Sequence, residues 1–143
     1  MKYVRIALGV LVALYSLMGL WHMVLTIGHK TGVYVATDAM TQRMVPLMEA
    51  IAWWQVALWL AAVAAMLVAA WRLVRGGKAF TPYAVGFVLD IGGWLTIQGS
   101  DAYRSVFTAA ERQFDYYILA GLVVIGLVIW WSERADAPAA AAA

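Results

Sequence analysis

The chain has no cysteine, so disulfides, thiolate catalysis, iron–sulfur ligation and cysteine-based zinc sites are excluded. It has only two histidines, and they and the scattered acids form no zinc-ligand pattern. Charge is also scarce: 13% of the 143 residues are Asp, Glu, Lys or Arg, about half the usual share of about 25% in soluble domains. The net charge of +2 is too small and too dispersed for a nucleic-acid footprint. Walker, HExxH, nucleophile-elbow and dinucleotide-binding motifs are missing, and the cytoplasmic segments are too short for a soluble catalytic domain, so no self-sufficient catalytic set is recognisable. Proline occurs three times and falls inside none of the long apolar runs, Pro82 lying near the start of one, where it is tolerated.

What the chain does have is apolar residues, 65% of the total, with a mean hydropathy of +0.80. They gather in four runs, and the predicted spans are residues 4–27, 51–71, 81–99 and 114–131. Each fits the roughly 17–25 residues a helix needs to cross a bilayer. Backbone groups in lipid must pair internally, so helices or a closed barrel are the choices, and Ala62–Ala70 (AVAAMLVAA) shows none of the alternation a barrel strand requires. The expected fold class is an all-α integral membrane protein, one four-helix domain over residues 1–134, with short helices in the outer loops and a disordered alanine-rich tail over 135–143. The first run is longer than a signal-peptide core and lacks an A-x-A-like site after it, so it reads as a retained helix.

Orientation follows from the basic residues. Lys2 and Arg5 precede the first span, and Arg72, Arg75 and Lys78 occupy the short second loop without an acid. The positive-inside rule puts both regions, and both termini, on the cytoplasmic side of a bacterial-type inner membrane. The loops over 28–50 and 100–115 then face outward. In the first, Thr37 is a candidate cap for a helix with Met40, Met44, Leu47 and Met48 on one face; in the second, Asp101 is a candidate cap for a helix bearing Tyr103, Phe107, Ala110 and Phe114. These segments either cover the bundle or offer a partner or lipid surface. Trp21, Trp53, Trp54, Trp71, Trp130 and Trp131 fall near span ends, as interfacial anchors do, whereas Trp94 is expected to pack inside.

Asp90 is the sharpest feature, a carboxylate halfway along the third span. An intramembrane acid must be neutral, paired, or turned toward water or the bundle interior. Gly86 and Gly93 share its face and permit close helix approach. At 1.5 Å per residue Asp90 lies about 14 Å and Tyr15 about 16 Å from the inner ends of their helices, which makes the Tyr15 hydroxyl the nearest expected partner. The alternatives are a packing hydrogen bond, a contact to a lipid, pigment or partner subunit, and a small channel or carrier using Asp90. Between Ile118 and Ile129 the fourth span offers no polar group to extend a relay.

A second polar layer is expected nearer the outer surface: His22 and Thr26, Gln55, Thr96 and Gln98, with Tyr116 or Tyr117. It is the candidate cofactor site, for a haem, a pigment, a quinone or a bound lipid. His22 and His29 lie about 10 Å apart along one helix and cannot be the two axial ligands of one haem. Ala57, Ala61, Ala65 and Ala69 form a small-xxx-small stripe suited to tight packing within the chain or against another protein.

RIALG at Arg5–Gly9, the Gly19 region and Glu49 resemble small four-helix membrane proteins of the DoxX-like type over the first two helices. That resemblance implies the four-helix fold and no function. The leading functional expectation is a small accessory or structural subunit of a larger inner-membrane complex, such as an energy-transducing assembly, with other membrane subunits or further copies of itself as partners. The alternative is an electron-transfer protein carrying haem, pigment or quinone.

Overall fold

The computed structural model describes residues 1–140, with side chains described through 135. Among the described residues six helices follow in order: α1 Lys2–Lys30, α2 Ala39–Ala50, α3 Trp53–Arg75, α4 Phe80–Ile97, α5 Asp101–Val106 and α6 Ala109–Ala140. Among the described residues four helices are long and apolar enough to cross a membrane, at Lys2–Lys30, Trp53–Arg75, Phe80–Ile97 and Ala109–Ala135. The molecule is an all-α bundle consistent with a multi-span membrane fold. Part of the alanine-rich tail, 141–143, lies outside the described residues, and of 135–140 the structure describes a helical backbone.

Local chemistry sets the helix ends, and it moves several of them from where hydropathy alone puts them. Apolar Ile51 and Ala52 stand outside α3 because their backbone is extended; the Gln55 side chain reaches back to accept from the Ala52 amide at 2.7 Å, so the helix starts at Trp53. It continues to Arg75 and stops where Gly76 turns left-handed (φ +79°), with the Gly77 amide donating to the Arg72 carbonyl. Arg72 and Arg75 in that last turn suit the helix dipole. α6 begins five residues before its predicted span because Thr108 and Glu111 form a reciprocal capping box: the Thr108 amide donates to Glu111 Oε2 at 2.7 Å, and the Glu111 amide to Thr108 Oγ1 at 3.2 Å. That box also breaks the expected helix through Tyr103, Phe107, Ala110 and Phe114 into two.

The outer-loop helices form, with caps one residue from those expected. Asp38 rather than Thr37 caps α2, accepting from the Thr41 amide at 2.9 Å, and Ser100 rather than Asp101 caps α5, accepting from the Tyr103 amide at 3.1 Å. Pro46 sits inside α2 without ending it. α2 and α5 pack on each other over one end of the bundle. Their Leu47, Tyr103 and Val106 join Met23, Ile51 and Val56 in one core. Met40, expected on the same face, is exposed. The two helices therefore cover the bundle end.

The second core fills the opposite half, from Leu8 and Val12 of α1 through Met66, Ala69 and Leu73 of α3 to Tyr83 of α4 and Ile129 of α6. Lys2, Arg5, Arg72, Arg75 and Lys78 lie at this end: buried Arg5 donates from Nη2 to the Gly77 carbonyl, tying the first turn of α1 to the α3–α4 loop. Glu133 of α6 accepts from the Ala79 amide and, at 2.8 Å, from the Phe80 amide. A carboxylate from another helix thus caps the start of α4, where the helix dipole favours negative charge.

α3 is the central helix, packed closely on α1 and on α4, while α6 touches α4 and α1 more sparsely. The α1–α3 contact is close at Gly9, where an added Cβ would meet Val74 Cγ2 at 2.9 Å and the Ala70 carbonyl at 3.0 Å. Of the alanine stripe only Ala69 is buried. α3 buries Ala62, Met66, Ala69 and Leu73, whereas Ala57 and Ala61 are exposed. The packing face crosses the stripe at Ala69 rather than following it, because it must serve α1 and α4 together.

Candidate functional site

The polar pair lies between the two cores. Tyr15 Oη of α1 donates to Asp90 Oδ2 of α4 at 2.6 Å. The glycines around Asp90 set its surroundings. At Gly86 an added Cβ would lie 2.7 Å from Met66 Cγ and 2.9 Å from the Ala62 carbonyl oxygen, so α3 and α4 touch backbone to backbone. At Gly93 an added Cβ would lie 2.6 Å from the Trp59 indole, which occupies the space a side chain would fill. Tyr83, one turn below Gly86, is buried and donates from its hydroxyl to the Leu122 carbonyl at 2.6 Å, holding α6 to α4.

Two clefts flank the pair, and Tyr15, Met18, Trp59 and Asp90 line both. The smaller, about 160 Å³, lies between α1 and α3 and continues past Gly19 to His22. The larger, about 230 Å³, lies where α6 stands away from α1 and α4, and adds Trp94, Asp115 and Leu122. Asp115 accepts from the Tyr103 hydroxyl. Burial, and then that hydrogen bond, push the Tyr103 phenol up to about 12. The Trp94 indole stands edge-on to Tyr116 at 5.4 Å between ring centres.

The expected outer polar layer divides. Gln55 Nε2 donates to Thr96 Oγ1 at 2.6 Å, and Thr96 Oγ1 donates to the Gly93 carbonyl at 2.6 Å. Gln98 Oε1 accepts from the Tyr116 hydroxyl at 3.4 Å. Thr26 turns to its own helix, donating to the His22 carbonyl at 2.9 Å. His22 joins none of these groups: it is exposed on the rim of the smaller cleft, and among the described residues its imidazole makes no hydrogen bond. Gln55, whose side chain spans the α3 cap and Thr96, is occupied by structural bonds. His29 stands further out, its Nε2 3.5 Å from Glu49 Oε1. Among the described residues no group of three or more His, Asp or Glu is arranged to hold a metal ion.

Three site-forming residues escaped the sequence reading. Trp59 looked like one of several crowded aromatics, and only the Gly93 gap shows where its ring goes. Asp115 looked like the end of a loop, yet the Thr108–Glu111 box carries α6 upstream and places it on a helix facing the larger cleft. Glu133 lies just past the fourth predicted span with no role readable there, and it is the cap of α4. The Thr-x-x-Glu spacing before the fourth apolar run was the one signal that pointed to the α6 start.

No protein-family model matches the chain, and the searches of curated proteins and of solved structures give no significant match. The resemblance to DoxX-like proteins thus gains no support from a family match.

Proposed function

We propose that the chain is a small non-catalytic accessory subunit of a larger membrane assembly, held there through the outward face of α3. One observation carries this reading. α3 is the central helix, yet its outer face is nearly bare of bulk between aromatic ends: Trp53, Trp54, Ala57, Ala61, Ala64, Val68 and Trp71 are exposed in succession. Toward the basic end that face deepens into a shallow groove between α3 and α4, lined by Ala64, Ala65, Val68, Pro82 and Val85. Small side chains let a neighbouring helix approach closely, which in lipid is the main source of helix association. These exposed residues are turned away from the chain's own packing, so another chain's helix is the occupant they suit. An inner-membrane location with cytoplasmic termini accords with the basic end formed by Arg5 and the α3–α4 loop.

Mild-detergent extraction of native membranes, followed by native electrophoresis, tests the proposal. The expected result is migration well above the 15.7 kDa of one chain, with Ala61→Phe and Ala64→Phe releasing the protein from the assembly. Recovery only as a monomer or a homodimer, under conditions that preserve other membrane complexes, overturns it.

A further inference from the structure

We infer that the cleft between α1, α4 and α6 is a binding site for a compact lipophilic organic cation, an aryl-bearing quaternary ammonium in chemical class. The inference is independent of the accessory-subunit proposal, since the cleft shares no lining residue with the exposed face of α3. Two carboxylates from different helices, Asp90 and Asp115, line this one apolar cavity of about 230 Å³. Each carboxylate has a tyrosine donor, Tyr15 for Asp90 and Tyr103 for Asp115. Neither has a cationic partner among the described residues. No lysine or arginine lines either cleft, and His22 on the rim of the smaller is the one basic group. Arg112, three residues before Asp115, donates instead to the Phe107 carbonyl at 2.6 Å. A carboxyl group within an apolar bundle is costly to ionise without a counter-charge, and a cationic ligand would supply it.

The walls specify the rest of the ligand. The Trp59 and Trp94 indoles line the cavity, and tryptophan is the strongest cation–π partner among the side chains. Besides Tyr15, whose hydroxyl donates to Asp90, the remaining lining is apolar, from Met18, Ile91, Ile118, Leu119 and Leu122, which suits a hydrocarbon body. Met18 lines both clefts and is half exposed, so the entrance is lateral, between α1 and α6, where α6 packs sparsely. A ligand reaches such an entrance from the hydrocarbon phase.

The test is equilibrium dialysis of radiolabelled benzyltrimethylammonium against the full chain in zwitterionic nanodiscs, with empty nanodiscs as the blank. The expected result is saturable binding of one cation per chain, displaced by unlabelled cation but not by neopentylbenzene, its uncharged isostere. Asp90→Asn keeps the shape and the Tyr15 hydrogen bond, and should weaken binding by about tenfold or more, as loss of a charged partner does. Val124→Ala, on the outward face of α6, should leave binding unchanged. Binding no greater than to empty nanodiscs, equal displacement by neopentylbenzene, or full affinity in a folded Asp90→Asn, Asp115→Asn double variant overturns the inference. If the aspartate variants fail to fold, the charge selectivity of the unmodified protein still decides it.

Discussion

Replacing Gly86 by alanine adds one methyl group at the closest approach of α3 and α4. The new Cβ would lie 2.7 Å from Met66 Cγ, 2.9 Å from the Ala62 carbonyl oxygen and 3.1 Å from the Met66 amide nitrogen. A methionine side chain can move, but the two backbone atoms cannot without separating the helices. Forcing an extra carbon into a packed contact costs roughly 1–3 kcal/mol. The same substitution also removes a helix-interior glycine, which favours the helix by up to about 1 kcal/mol. Gly92 on the same helix supplies the control, because an added Cβ there meets nothing within 4 Å. Gly92→Ala should therefore keep the propensity gain alone. The two variants are expected to differ by about 1–3 kcal/mol, with Gly86→Ala the less stable. Reversible unfolding in mixed micelles, followed by far-ultraviolet circular dichroism, measures both against the unmodified protein. Shortening Met66 in the Gly86→Ala background should recover only part of the loss, since the Ala62 carbonyl remains in the way. Agreement of the two glycine variants within about 0.5 kcal/mol, the usual scatter of neutral substitutions, would refute the backbone-contact reasoning.

Two further outcomes are open to measurement. Tyr15→Phe deletes the one protein donor that the described structure gives Asp90; interhelical hydrogen bonds in membranes contribute about 0.6 kcal/mol on average and up to about 1.7, so a coupling in that range is expected in a double-mutant cycle with Asp90→Leu, and a coupling of zero would show that the pair is not formed. At the opposite end of the polarity scale, the exposed Asp38 carboxyl is held below its ordinary value of 3.8, first by the Thr41 hydroxyl and then by the Thr41 amide. Its folded-state value is lowered, so the α2 cap is fully present above the ordinary aspartate range and is lost as pH falls through the lower value. The Thr41 amide resonance, followed during acidification, should move with a midpoint below 3.8, and a midpoint at or above it contradicts the cap.

The existence of four long helices was legible because it rests on the sum of many side chains: in each run nearly every residue is apolar, and the expected number of crossing helices follows without any tertiary contact. Their ends were less legible. Ile51 and Ala52 continue the hydropathic run but lie outside α3, since a helix starts where its amides find acceptors, here the Gln55 side chain. The Tyr15–Asp90 proximity was readable from depth, because rise per residue is nearly constant and both residues sit near the middle of their helices. The His22 layer was not readable in the same way. Depth puts His22 level with Gln55 and Thr96, but depth carries no information on which way a side chain faces around the helix axis, and His22 faces the rim.

By itself, then, the sequence determined quantities that add along one chain: four apolar spans, the gathering of basic residues toward one end, a carboxylate at mid-helix and a face of α4 thinned by Gly86 and Gly93. Only the tertiary structure decided quantities that belong to pairs of helices. It chose Ala62 and Met66 over Ala57 and Ala61 of the stripe as the packing face of α3, and placed the Trp59 ring in the gap at Gly93. It also brought Asp115 from the fourth long helix to the cleft that Asp90 lines from the third. The physical reason is that hydropathy and helix rise are properties of a residue or its neighbours in sequence, whereas helix rotation is set by how two surfaces fit. A rotation of about 100° separates each residue from the next along a helix, enough to turn a buried contact into a lipid-facing one.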